Sequence, residues 1–178
     1  MTTAARVPSC AGRAPADKVE CMSADFSTLR ITRAGAEQLD WIAPLFDAYR
    51  QFYRRASDLR GARAFLTERL KRDESVMFLA LVQTGNSSSA VGFVHLYPTF
   101  SSLSLKPQWI LSDLYVTPEA RKHGVGAALM NRAKEMAAAT GADGLMLETA
   151  TDNFTAQKLY ESLSYKRDTE FFRYFLGV

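Results

Sequence analysis

Leu111-Ser-Asp-Leu-Tyr-Val-Thr-Pro-Glu-Ala-Arg-Lys-His-Gly-Val-Gly-Ala-Ala-Leu129 reads as the end of a strand, a basic turn, a glycine pair and the start of a helix. Trp109 to Val116 is apolar and β-prone, and Pro118 interrupts it. From Gly124 to Thr140, Val125, Leu129, Ala133 and Met136 recur on one side of a helix that Gly141 ends. A turn of this kind offers backbone N–H groups at a helix N-terminus, where the macrodipole is positive. Gly124 and Gly126 let an anion approach without a Cβ in the way, and Arg121 and Lys122 add charge-assisted contacts. The guest this favours is a phosphorylated ligand, above all a pyrophosphate. The glycines alone fit equally well a tight turn with its basic side chains in water.

Two other phosphate motifs fit less well. Gly-Lys-Ser/Thr is absent, which excludes a P-loop. A dinucleotide fingerprint comes closer, because Gly124-x-Gly126 opens a helix and Glu148 ends the next strand, where a ribose-binding acid would lie. Against it, Leu129 stands at the third glycine, Thr117 to His123 lengthens a turn that should be tight, and too little chain follows.

Working outward, Thr28–Thr32 alternates as an opening strand, and Leu39, Ile42, Leu45, Phe46, Tyr49 and Phe52 recur at helical spacing with Pro44 inside as a kink or break. Asp58 is placed to cap a second helix running to about Lys71. Val76–Gln83 and Ala90–Phe100 form a hairpin around a Gly-Asn-Ser turn. Downstream come a strand at Leu145–Ala150, a helix at Asn153–Leu163, and two closing strands near Tyr165–Arg167 and Glu170–Leu176. Hairpins early and β-α-β-α late predict an α/β domain on a mixed sheet.

The 178 residues suffice for one domain with a sizeable core, and 47% hydrophobic with 23% charged residues is a globular balance. The net charge of +3 is too small to point to nucleic acid or an anionic membrane, and no apolar run approaches the ~20 residues of a membrane span. The only cysteines, Cys10 and Cys21, precede the structured region, and His95 and His123 stand far apart, so no metal site is expected. Residues 1 to about 26 lack periodicity and the apolar core of a secretory signal. They are expected to be a disordered extension, with Met22 as a second start, ahead of one domain over residues 27–178 in a cytoplasmic protein.

With strand, Arg121-Lys-His-Gly-Val-Gly-Ala127 and helix in that order, the chain resembles the GNAT superfamily of N-acetyltransferases, whose signature Arg/Gln-x-x-Gly-x-Gly/Ala is matched by Arg121, Gly124 and Gly126. A second block, Leu147-Glu-Thr-Ala-Thr-Asp-Asn-Phe-Thr-Ala-Gln-Lys-Leu-Tyr-Glu-Ser-Leu163, resembles the family's strand–Asn–helix segment ending Leu-Tyr-Glu-x-Leu-Gly-Phe/Tyr. Ser164 departs from it, standing where the family has a helix-capping glycine. The resemblance covers about residues 27–178. It implies a mixed, mostly antiparallel sheet of six to seven strands flanked by four helices, with Ser112–Val116 and Leu145–Thr149 splayed apart as parallel strands. It also implies acetyl-CoA as cosubstrate: pyrophosphate on the backbone of Lys122, His123, Gly124, Val125, Gly126 and Ala127 beside Arg121, pantetheine along Leu114, Tyr115 and Val116, and a further contact at Asn153.

The resemblance implies an amine acceptor; only its unprotonated form attacks a thioester, so a base must act. Tyr160, seven residues after Asn153 on the same helix face, matches the tyrosine that protonates the CoA sulfur in many members. Two bases stay open. Glu148 stands twelve residues before Tyr160, as in protein N-terminal acetyltransferases, and also fits a structural ion pair. Asp113 matches the acidic position near the amine in polyamine and thialysine enzymes, although Ser112 replaces the glutamate that often precedes it. His123 reads as a solvated neighbour of the phosphate site and His95 as a histidine satisfied within the sheet or at its edge; Tyr49, Tyr53, Tyr97 and Phe100 could wall the acceptor site, though most fit better as core or interface aromatics. The pattern of Asp113-Leu-Tyr-Val116 with Tyr97-Pro-Thr-Phe-Ser101 is similar to the polyamine, thialysine and histone-type branch, which implies a small cationic primary amine. A protein N-terminal or lysine acetyltransferase is the alternative enzyme, and a non-catalytic acetyl-CoA-binding module is the alternative of another class. The apolar run Phe171-Phe-Arg-Tyr-Phe-Leu176 fits either a homodimer interface or a core strand.

Overall fold

The computed structural model describes residues 24–178. Its elements are β1 (Ala24–Ala34), α1 (Leu39–Phe52), α2 (Leu59–Lys71), β2 (Val76–Thr84), β3 (Ser87–Ser101), β4 (Lys106–Val116), α3 (Val125–Ala139), β5 (Leu145–Leu147) and α4 (Phe154–Ser162). They form one α/β domain on a five-stranded sheet in the order β1-β2-β3-β4-β5, antiparallel except for the parallel β4/β5 pair.

β2 is buried on both faces, from Met77 through Val82, which is why it reads as an unbroken apolar run. On one face Met77, Leu79, Leu81 and Phe93 pack under Ile42, Phe46 and Leu66 of α1 and α2. On the other, Phe78, Ala80, Val94, Leu96 and Leu111 meet Val125, Leu129, Met130 and Ala133 of α3. Pro44 neither splits nor ends α1; it lies on the exposed side, where its ring faces solvent. Asp58 caps α2, accepting from the Gly61 N–H at 2.8 Å.

Three sequence expectations are corrected. β1 begins at Ala24, inside the stretch expected to be disordered; residues 1–23 of that stretch lie outside the described residues. β5 spans three residues only, because the chain leaves the ladder after Leu147. The two closing strands are absent, so among the described residues the sheet has five strands rather than six to seven. Phe171-Phe-Arg-Tyr-Phe-Leu176 lacks the period-two alternation of a half-buried strand. An Asp168 turn, accepting from the N–H groups of Glu170 and Phe171 at 2.8 and 3.1 Å, leads instead into a tail whose aromatic rings are exposed.

Two irregularities of β4 position the site. His95 pairs with Asp113 and Leu96 with Leu111, so Ser112 is an extra residue with no partner on β3. Such a bulge shifts every following side chain to the opposite face. Trp109 and Leu111 before it, and Leu114 and Val116 after it, join the α3 core, while Asp113 and Tyr115 turn toward α1. Second, the β4/β5 ladder runs from Trp109↔Leu145 to Leu111↔Leu147 and stops. From Ser112 onward that side of β4 has no β5 partner, which matches the splay expected between Ser112–Val116 and the strand at Leu145.

Candidate active site

The basic turn opens α3 with a left-handed glycine and no side-chain cap. Gly124 is the N-cap of α3 at φ 78°, a left-handed conformation that L side chains resist, and no side chain caps the helix there. The N–H groups that open α3 are therefore free of a side-chain acceptor. Lys122 is left-handed as well, at φ 67°. Arg121 is tied back by its Nε, which donates to the Val116 carbonyl at 3.1 Å, and its guanidinium lies 5.8 Å from the Phe52 ring centre. His123 is exposed but not merely solvated, since its ring stacks on Phe26 at 4.0 Å and 5°. A Cβ on Gly126 would stand 3.1 Å from Leu159, so this glycine also lets α3 and α4 approach. Val125 and Leu129 anchor the helix in the core, while Arg121 to Gly124 face out. The uncapped helix end, the left-handed glycine and the β4 edge without a β5 partner together suit a phosphorylated cosubstrate with an extended arm.

A second cluster lies where β4 and β5 part. Asp113, its side chain 12% exposed, meets His95 Nδ1 at 3.0 Å through Oδ2. Tyr49 of α1 faces the same carboxylate. Burial first, and then the Asp113 charge, push its phenol well above the ordinary value, with Tyr53 and Tyr160 adding smaller effects. Tyr97 is pushed up to about 12 by burial and by Asp113. Tyr160 is also pushed up to about 12, by burial and then by Tyr53 and Tyr165, with the Thr149 hydroxyl acting the other way. Tyr49 and Tyr53 meet edge to face at 5.1 Å. Tyr49 thus feels both Asp113 and, more weakly, Tyr160, which are far apart in sequence. Phe100 does not join them; it is 81% exposed at the far end of β3.

The remaining expected residues are placed elsewhere. Glu148 lies at the surface, its side chain 57% exposed and paired with Arg173. Asn153 caps α4, its side chain accepting from the Ala156 N–H at 3.3 Å. Ser164 ends α4 at φ 69°, with Ser164 N–H donating to the Glu161 carbonyl and Tyr165 N–H to that of Tyr160, each at 3.0 Å. It makes the glycine-type termination without being glycine.

Sequence reasoning missed two features. His95 is bonded within the sheet, as expected, but its partner is Asp113 across on β4, a pairing that becomes visible only once the bulge sets the β3/β4 register. Asp47 is the second. It is buried in α1, and its carboxylate accepts from Arg50, Gln51, the Ser57 hydroxyl and the Asp58 N–H. These contacts fix the loop that begins at Tyr53. A single acid on an otherwise apolar helix face, followed by Ser-Asp ten residues on, was the available signal.

The Acetyltransferase (GNAT) family model matches residues 42–165, from α1 to the end of α4. The chain belongs to this family. It is 46% identical over 150 residues to the uncharacterized N-acetyltransferase YhfO of Bacillus subtilis (strain 168), covering 84% of this chain and 98% of that one. A solved structure of a probable acetyltransferase superposes with a TM-score of 0.78 at 47% identity, over 84% of this chain and 97% of its own. The aminoglycoside N-acetyltransferase AAC(6')-Iy, solved in complex with CoA, shares the fold at a TM-score of 0.69 and 18% identity, over 89% and 99%. The protein is therefore a GNAT acetyltransferase, an acetyl-transferring enzyme.

Proposed function

We propose that this GNAT enzyme moves an acetyl group from acetyl-CoA to a small cationic primary amine by direct attack within a ternary complex. The observation that supports the reading is the shielded Asp113 on β4, at the stretch of that strand without a β5 partner, together with the uncapped, glycine-led start of α3 that follows it in the chain. The backbone from Lys122 to Ala127, with Arg121 alongside, holds the pyrophosphate, and Leu114 to Val116 offers the edge for the pantetheine arm. Asn153 contributes from the start of α4.

Acetyl-CoA supplies the thioester carbonyl and a thiolate leaving group. The chain's own residues handle the proton. At neutral pH roughly one amine in a thousand is free, from an ammonium pKa near 10.4. Asp113 draws the cationic amine in by charge; the free amine attacks the thioester carbonyl, and Asp113, directly or through a water, relays the proton that its nitrogen sheds in the adduct toward the departing sulfur. It is favoured over Glu148 because it is shielded and faces the tyrosines, whereas Glu148 is occupied by Arg173 at the surface. The Tyr160 hydroxyl, pushed up to about 12, stays neutral and donates a hydrogen bond to the departing sulfur. Complete proton transfer from it to a thiolate of pKa about 8.5 would run uphill by roughly 5 kcal/mol, so the thiolate's proton comes from the amine side. An acid beside aromatic walls is the chemistry that binds an ammonium. The exposed Phe171, Phe172, Tyr174 and Phe175 favour a second copy of this chain as a further partner.

Thiol release from acetyl-CoA, followed across polyamines, diamines, lysine analogues, aminoglycosides and N-terminal peptides, tests this reading. Acceleration by the small diamines and polyamines supports it. Acceleration by peptides alone replaces the acceptor class, and acetyl-CoA binding without acceleration by any amine points to the binding module instead.

A further inference from the structure

The reading of Asp113 as proton acceptor leaves one buried polar group without a task. His95 is 0% exposed at the middle of β3, between the fully buried Val94 and Leu96. Nothing in that packing calls for an imidazole, and burying one costs stability unless both ring nitrogens are partnered. One is: Nδ1 lies 3.0 Å from Asp113 Oδ2. Nε2 is buried with no hydrogen-bond partner. Phe46 meets the ring edge-on at 6.3 Å, and Tyr97 covers it at 4.5 Å.

The tautomer follows from this pairing. An ionised carboxylate only accepts, so Nδ1 carries the hydrogen and Nε2 keeps its lone pair against aromatic carbon. The Ser112 bulge belongs to the same device. Without the extra residue, Asp113 would share the face of Leu111 and point into the α3 core; with it, Asp113 stands directly across from His95. The groups around the pair are Tyr49 from α1 and Tyr97 from β3, with Tyr53 and Tyr160 beyond Tyr49 and Arg69 and Glu74 of the α2 end beyond Tyr97.

We propose that His95 is a positioning residue for acetyl transfer: its Nδ1–H holds Asp113 Oδ2 and so fixes the carboxylate's orientation toward the acceptor's ammonium. The histidine never meets the acceptor, because its free nitrogen is sealed in the core. The inference rests on Asp113 being the base, and the test separates the two.

The full chain is compared with His95→Leu, His95→Asn, Asp113→Asn and the His95→Leu/Asp113→Asn double variant. Asn places an amide N–H where Nδ1–H stands but does not titrate. The readouts are kcat/KM for the most active amine from pH 6 to 10, and KM for acetyl-CoA. Losing one hydrogen bond to a charged group should lower kcat/KM in His95→Leu by about 10- to 100-fold. The loss should appear across the whole pH range, because the carboxylate is misplaced rather than removed. KM for acetyl-CoA stays within about twofold, since the glycine turn is untouched. His95→Asn restores most of the rate. The double variant is no slower than Asp113→Asn, as expected when one residue acts through the other. The inference is overturned if His95→Leu keeps the parent profile, if His95→Asn is as impaired as His95→Leu, or if the double variant loses the full His95→Leu factor on top of Asp113→Asn. A fully active Asp113→Asn overturns the base assignment and this inference with it. A slow Asp113→Asn beside an unchanged His95→Leu overturns this inference alone.

Discussion

Replacing Tyr160 by Phe removes one oxygen from α4 and keeps the ring in its packing against the α3 face of the sheet. In the folded chain that oxygen has the Thr149 hydroxyl nearby, so the fold should lose no more than about 1 kcal/mol. For a chain of 178 residues this is about 2–4 °C in Tm. The catalytic cost is larger, because the hydroxyl's partner in the reaction is a developing thiolate. A hydrogen bond to a charged group is worth about 1.5–3 kcal/mol, which is roughly 10- to 150-fold in kcat. The pH behaviour is fixed by sign. Burial raises the Tyr160 phenol to about 12, so it is a neutral donor throughout the working range and stops donating only as pH rises through that value. The variant's kcat profile between pH 6 and 10 should therefore be lower than the parent's but have the same shape. If acetyl-CoA is held by the glycine turn, as proposed, its KM should change less than about twofold. Stopped-time thiol release with saturating amine measures all three quantities. A kcat within twofold of the parent, or a loss confined to the KM for acetyl-CoA, would refute the role given to Tyr160.

Three further outcomes follow from the geometry. Asp47→Ala strips four donors of their acceptor and should cost about 2–4 kcal/mol at pH 7, read by denaturant unfolding. The Ser57 hydroxyl and the Asp58 N–H hold the Asp47 carboxyl below its ordinary value. Its contribution is thus complete above the unfolded pKa of about 3.9 and fades as pH falls through the lower folded value, where parent and variant should converge. Ser164→Gly relieves a left-handed serine and should raise stability by about 0.5–1 kcal/mol with kcat unchanged; a lower Tm would contradict the termination described for α4. Gly124→Ala meets no atom within 4 Å but must adopt φ 78°, at a cost of roughly 1–2 kcal/mol. If the turn holds the pyrophosphate, the KM for acetyl-CoA rises while kcat at saturation holds, and an unchanged KM removes the turn from the binding site.

The parts of this molecule that were legible in the sequence are those governed by local physics. Helical spacing placed α1 and α3, the two glycines marked a turn where one residue needs a left-handed backbone and the other a close helix contact, and Ser164 stood where the α4 end demands a left-handed residue. What was not legible depends on register and on competition for partners. Read as a plain strand, Leu111-Ser-Asp-Leu-Tyr-Val116 assigns Leu111 and Asp113 to one face, and a buried acid there has no evident function. A single unpaired residue, Ser112, reverses that assignment, brings Asp113 across from His95 and opens β4 where β5 departs. No propensity scale signals this, because the bulge is favoured only when both neighbouring strands and the α1 face are in place. The same reasoning separates the two candidate bases. Glu148 and Asp113 are equivalent as letters, but one lies 57% exposed against Arg173 and the other 12% exposed beneath tyrosines. Desolvation, not identity, makes a carboxylate useful against an ammonium, and desolvation is a property of the assembled sheet.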